Sequence, residues 1–250
     1  MKLVVKSTPS EADAFALSVF EDIVGVKPEC SIGYPTGRSV NGLYTLVRAA
    51  SAQGRLDLSR TRAFQLDDYL GIPLSHSARF AQILREQVLA PCGLAEGNIH
   101  LFPEDERFGD AEAAAYEALL ASCGLDLLLL GVGANGHVGF NEPSERFSTA
   151  THRVTLTEVM RRDAAGSFGS FEEAPRYAAT MGMQTIARAH TLILIAQGEK
   201  KADAIARLFL GKADPACPVS ALKGHPDFWV IVDDRAAGKL PASVIRKGKV

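Results

Sequence analysis

The sequence predicts an α/β fold, with a mainly parallel sheet covered by helices on both faces and the whole chain in one domain, residues 1–250. Three observations carry that expectation. Short apolar runs at Leu127–Leu130, Thr191–Ala196 and Phe228–Val232 stop abruptly in glycine or polar residues, as a strand buried on both faces does. Helix-forming segments alternate with these runs, so successive strands are joined by crossovers and lie parallel. No low-complexity linker divides the 250 residues, a length that one α/β domain accommodates.

From the N-terminus, Leu3–Val5 reads as a short strand, and Ser10-Glu-Ala-Asp13 reads as a capped start to a helix reaching about Val24. Phe15, Val19 and Ile23 repeat on one face of that helix. Cys30–Gly33 is the next expected strand; it feeds Tyr34-Pro35-Thr36-Gly37-Arg38-Ser39, ahead of a helix from Leu43 to Ala52. Free backbone N–H groups at a helix start, two hydroxyls and a guanidinium are the ingredients of a phosphate cradle. A plain strand-to-helix turn would use the same Pro-Thr-Gly.

Ala63–Leu66 reads as a strand ending in Asp67 and Asp68. Adjacent side chains on extended backbone point to opposite faces, so at most one of the two enters a common site. Helices are expected over Ser75–Leu89, stopped by Pro91-Cys-Gly93, and over Ala111–Ala121. His76 and His100 carry no partner motif and read as surface or packing residues.

The strand Leu127–Leu130 leads into Gly131-Val-Gly133-Ala-Asn135-Gly136-His137-Val-Gly139-Phe-Asn141-Glu142-Pro143. The glycines let this backbone turn sharply and approach a ligand. His137 and Glu142 are five apart in a loop that brings them within reach of each other, and a carboxylate beside an imidazole orients it and raises its pKa. An ordinary glycine-rich turn is the alternative. The spacing departs from the dinucleotide fingerprint, because Gly131, Gly133 and Gly136 lead to His137 and Pro143 rather than into a helix.

Beyond Pro143 the chain is polar from Ser144 to Thr157, and a helix is expected from Glu158 through Arg161 and Arg162. Thr191–Ala196, Gly198-Glu-Lys-Lys201 and Ala202–Leu210 repeat the strand, loop and helix pattern. Phe228–Val232 adds a strand ending in Asp233 and Asp234.

Hydrophobic residues at 47% and a net charge of -2 give no electrostatic argument for nucleic acid or an anionic membrane, so an anionic small molecule would need a local basic site. Cys30, Cys92, Cys123 and Cys217 form no Cys-x-x-Cys pair and read as reduced thiols, which leaves a metal site or a disulfide framework little support. Ser7, Pro9 and Glu11 interrupt the N-terminus before a signal-peptide apolar region could form, and no run is long enough to span a bilayer. A cytoplasmic location is expected.

The segment Gly131–Pro143 closely resembles a signature of the glucosamine-6-phosphate deaminase (isomerase) family, and Phe64-Gln-Leu-Asp67-Asp68-Tyr69-Leu-Gly71-Ile-Pro73 resembles its second signature. Weaker similarity continues through Pro175–Ile186 and Gly198–Lys201. The resemblance implies a Rossmann-like three-layer sandwich, related to 6-phosphogluconolactonase, that converts glucosamine 6-phosphate and water into fructose 6-phosphate and ammonia with neither metal nor organic cofactor. It implies Asp67 as the base at sugar C2, and Asn135, His137 and Glu142 as the ring-opening group. Thr36, Gly37, Arg38, Ser39, Asp68, Gly136 and Lys201 are implied as substrate contacts. A mobile lid is implied near residues 144–176, and the family's lid arginine falls on Gly166, with Arg161, Arg162 or Arg38 as replacements. Asn135 stands where the family also has aspartate, and an amide can orient His137 but cannot exchange protons. The expected partner is an amino-sugar phosphate, with no nucleic acid and no membrane; a homo-oligomer stays open. So do galactosamine 6-phosphate as substrate, 6-phosphogluconolactonase activity and a non-catalytic sugar-phosphate sensor.

Overall fold

The computed structural model describes residues 1–248. The strands in chain order are β1 (Lys2–Lys6), β2 (Ser31–Tyr34), β3 (Arg62–Gln65), β4 (Asp67–Leu70), β5 (Ile99–His100), β6 (Leu127–Leu130), β7 (His152–Thr155), β8 (Tyr177–Thr180), β9 (Thr191–Ala196) and β10 (Phe228–Asp233). The α-helices are α1 (Pro9–Val26), α2 (Arg38–Ala52), α3 (Phe80–Leu84), α4 (Asp110–Cys123), α5 (Glu158–Phe168), α6 (Met183–Ile186), α7 (Ala202–Leu210) and α8 (Ala242–Gly248). Seven strands form a wholly parallel sheet in the order β1-β10-β9-β6-β2-β3-β5.

Consecutive residues of a strand face opposite sides, and the two cores divide accordingly. Ile32, Leu127, Leu129, Ile193, Ile195 and Ile231 pack with α1, α2, α3 and the π-helical turn Arg85–Leu89. Leu128, Leu130, Leu192, Leu194, Val230 and Val232 pack with α4, α6 and α7. All four leucines of β6 are therefore buried, which accounts for their unbroken apolar run.

Several boundaries differ from the sequence expectation. The cap of α1 is Thr8, whose Oγ1 accepts the Glu11 N–H at 3.2 Å while Glu11 accepts the Thr8 N–H at 3.3 Å. Pro9 stands at the first helical position, where its missing donor costs nothing. Asp13 is buried and receives Gln197 Nε2 at 2.8 Å. Helix α2 begins at Arg38 rather than Leu43. The helix expected from Ser75 begins only at Phe80, because its first amides are capped from a distance: Asp68 accepts the Phe80 and Ala81 N–H groups at 2.9 and 3.0 Å.

A second sheet, β4-β8-β7, is antiparallel. Leu66 joins the two sheets, donating to Tyr34 O at 3.0 Å and accepting from Met181 N at 2.9 Å. The strand expected to end at Leu66 therefore continues as β4, which carries Asp67 beyond the carboxyl edge of the large sheet. From β2 the chain steps outward to β3 and β5, and from β6 it steps the other way to β9 and β10. Ligands of such sheets bind where the order reverses, here outside the carboxyl ends of β2 and β6. No helix among the described residues is long and apolar enough to cross a membrane.

Candidate active site

The loop after β6 is folded on itself. Gly133 N–H donates to His137 O at 2.9 Å and Gly136 N–H donates to Gly133 O at 3.1 Å. A side chain at Gly133 would meet the His137 ring at 2.3 Å, so glycine is what leaves room for the imidazole against this turn. His137 Nδ1 is 3.0 Å from Glu142 Oε1, within ion-pair range of the carboxylate when the ring carries a second proton, but not aligned as a hydrogen bond. Asn135 ties the pair together: its Nδ2 donates to Glu142 Oε2 at 2.7 Å and its Oδ1 accepts the His137 N–H at 3.1 Å. Burial pushes the Glu142 carboxyl up, but His137 and Asn135 more than offset this and hold it below its ordinary range.

Asp67 and Asp68 diverge, as strand geometry requires. Asp67 is 7% exposed and opens into a cavity of about 890 Å³. Burial, assisted by the charge of Asp68, pushes its carboxyl up to about 8. Asp68 is completely buried and faces away, which corrects its place among the substrate contacts. It binds Arg79 Nε at 2.8 Å and Gln65 Nε2 at 2.9 Å in addition to its helix-capping bonds. Arg79, equally buried, continues to the carbonyls of Phe102 and Pro103.

The same cavity also has a basic lining. Thr36, Gly37, Arg38 and Ser39 line it at the start of α2, where no side chain caps the helix. Thr36 Oγ1 is buried without a protein partner, an arrangement that costs free energy until a ligand completes it. Lys200 and Lys201, from the loop after β9, complete this wall. Burial, then the nearby charges of Arg38 and Lys200, hold the Lys201 amine below its ordinary range. A bound dianion would relieve that repulsion.

One cavity thus collects Asp67, His137, Glu142, Thr36, Gly37, Arg38, Ser39 and Lys201. Asn135 acts from outside its wall. Gly136 does not face it: a side chain there would strike Cys217 Sγ at 2.4 Å, so this residue is packed on the segment behind the loop. Neither Arg161 nor Arg162 lines the cavity. Arg161 donates to the carbonyls of Phe171, Ala174 and Pro175, and Arg162 pairs with Glu158. Gly166 is exposed, which leaves Arg38 as the arginine at the cavity.

Sequence reasoning missed Tyr69, Phe80, Phe140, Met160, Asp163 and Lys200 as lining residues. Tyr69 lay inside a quoted signature and Lys200 beside Lys201, so their neighbours were available as signals; Met160 and Asp163 had none. Tyr69 packs against Phe80, Phe140 and Phe168 at ring separations of 4.8, 5.3 and 5.2 Å. Phe168 also stacks on His76, so α5 roofs the cavity through aromatic contacts. Among the described residues, no group of three or more His, Cys, Asp or Glu could hold a metal ion.

A model of the family described as glucosamine-6-phosphate isomerases/6-phosphogluconolactonase matches residues 8–230. The glucosamine-6-phosphate deaminase of Streptomyces avermitilis is 39% identical over 244 residues, covering 96% of this chain and 93% of that protein. That of Rhodococcus opacus is 37% identical over 242 residues, with the same shares covered. Among solved structures, a monomeric glucosamine-6-phosphate deaminase superposes with a TM-score of 0.90 at 31% identity, over 96% of this chain and all of that one. The 6-phosphogluconolactonase of Trypanosoma brucei shares the fold, with a TM-score of 0.75 at 18% identity over 96% of this chain and 98% of that one. With both signatures gathered at one cavity and relatives matched over nearly its whole length, the chain belongs to the family of glucosamine-6-phosphate isomerases and 6-phosphogluconolactonases.

Proposed function

We propose that this protein is a glucosamine-6-phosphate deaminase, converting glucosamine 6-phosphate and water into fructose 6-phosphate and ammonia. The observation that carries the reading is the single cavity lined both by the buried Asp67 carboxyl and the His137–Glu142 pair and by Arg38, Lys200 and Lys201. The phosphate is taken by Lys201, Arg38, the Thr36 and Ser39 hydroxyls and the free amides at the start of α2. His137, oriented by Asn135 and supported by Glu142, moves the ring-oxygen proton as the sugar opens. Asp67 then takes the proton from C2 and returns it to C1; water adds to the resulting C2 iminium and ammonia leaves. The substrate ammonium beside Asp67 favours its ionised form, which offsets the burial that otherwise keeps it protonated.

The segment 144–176 serves as a lid in this reading, since α5 closes over the cavity chiefly through the Phe168 contacts to Tyr69 and His76. Every group invoked comes from one chain. Cytoplasm is the proposed location, because phosphorylated sugars do not cross membranes unaided.

Coupled assays for ammonia and fructose 6-phosphate test the reading, with galactosamine 6-phosphate and 6-phosphogluconolactone run in parallel. Stoichiometric formation of both products from glucosamine 6-phosphate is expected. Preferred turnover of the galacto epimer or of the lactone would replace this substrate, and binding without any turnover would make the protein a sensor.

A further inference from the structure

Charge in the cavity is divided between two walls. Arg38 and Lys200 lie close enough to disfavour the charge on Lys201, whereas the cavity-lining Asp67 and Asp163 lie close to Tyr69, with the buried Asp68 behind them. Burial and then those three carboxylates push the Tyr69 phenol up to about 12. Asp163 and Glu199 are the cavity-lining carboxylates that the proposed reaction leaves without a task, and Glu199 lies next to Lys200 and Lys201, whereas Asp163 lies near Tyr69 and Asp67.

Its position is set by α5. Met160 and Asp163 are three residues apart, hence on one helix face, and both line the cavity. The neighbouring cations are engaged elsewhere, Arg162 with Glu158 and Arg161 with backbone carbonyls. Asp163 therefore presents an exposed carboxylate, unpaired among the described residues, toward a cavity whose other wall is cationic. Such a cavity is matched to a zwitterion with a phosphate at one end and an ammonium at the other. Asp67 alone is a poor attractor for the incoming ammonium, since burial leaves it protonated at neutral pH in the empty cavity.

We propose that Asp163 is a specificity-determining residue that attracts the C2 ammonium of an amino-sugar phosphate and so selects aminated over non-aminated sugar phosphates. The inference rests on the reaction proposed above and names a determinant for its substrate class.

Calorimetric binding of two stable open-chain ligands, 2-amino-2-deoxyglucitol 6-phosphate and glucitol 6-phosphate, to the wild type, Asp163→Asn and Asp163→Glu provides the test. Asp163→Asn is expected to weaken the amine ligand about fivefold, the size of a partly exposed ion pair, and the hydroxyl ligand less than about twofold. Asp163→Glu should restore most of the difference. Equal changes for both ligands, or none for the amine, overturn the inference, because a merely structural role does not distinguish an ammonium from a hydroxyl. Ammonia release by the wild type is scored separately. Its absence with intact, Asp163-dependent amine selectivity defeats the proposed reaction and supports the recognition; ammonia release with unaltered selectivity defeats only the role of Asp163.

Discussion

Asp67→Asn should make the protein more stable while disabling it, and the gain should depend on pH in a defined way. The Asp67 carboxyl sits at about 8 in the folded protein against an ordinary 3.8. Below pH 4 both folded and unfolded chains hold the proton, and the aspartate carries no penalty. Between pH 4 and 8 the unfolded chain has released the proton and the folded one has kept it. Each unit of rising pH therefore removes about 1.4 kcal/mol of wild-type stability, until the folded carboxyl also ionises. Asparagine has the same shape and does not titrate, so the stability difference between variant and wild type should widen by roughly 2–3 kcal/mol from pH 5 to pH 7. Urea unfolding followed by circular dichroism at those two pH values measures it, and other titrating groups cancel in the difference. The same substitution should lower turnover ~10²–10⁴-fold through loss of the general base. A stability difference that stays constant, or narrows, between pH 5 and 7 would refute the claim that burial keeps Asp67 protonated.

Lys201→Ala should weaken binding of glucitol 6-phosphate much more than that of glucitol, since only the former loses a charge-assisted contact; equal weakening in calorimetry would remove Lys201 from the phosphate site. Glu142→Gln should slow reaction of the closed sugar more than that of an open-chain surrogate, because the lost charge supports His137 during ring opening; stopped-flow rates with equal losses on both would contradict the assignment. Arg79→Met should destabilise the fold by about 3–5 kcal/mol by leaving Asp68 buried without its cation, and a denaturant midpoint close to wild type would show that the pair does not hold β4 against α3.

Local chemistry alone determined much of this protein. The unbroken apolar runs of β6, β9 and β10 mark strands buried on two faces, because only such strands need side chains without alternation. The glycines after β6 fixed a loop able to fold His137 back toward Glu142, and the signatures around Asp67 and His137 named the chemistry. Strand alternation also foretold that Asp67 and Asp68 would part, but which of them would face the cavity came from resemblance.

What only the tertiary structure decided is of another kind. β4 and β7 have sequences, Asp-Asp-Tyr-Leu and His-Arg-Val-Thr, whose polar residues hide a strand until β8 lies between them to pair both. The start of α3 is fixed by a carboxylate twelve residues earlier, a cap no local pattern encodes. Asp68 has the composition of a site residue, but in the fold it is buried and satisfied by Arg79 and four other donors. Asp163 lies on a polar helix that reads as solvated, and it becomes part of the cavity only because Phe168 pins that helix over Tyr69. Propensity and periodicity act over a few residues, whereas a cavity wall is built from segments the chain separates by more than a hundred, and their meeting is set by the packing of the whole.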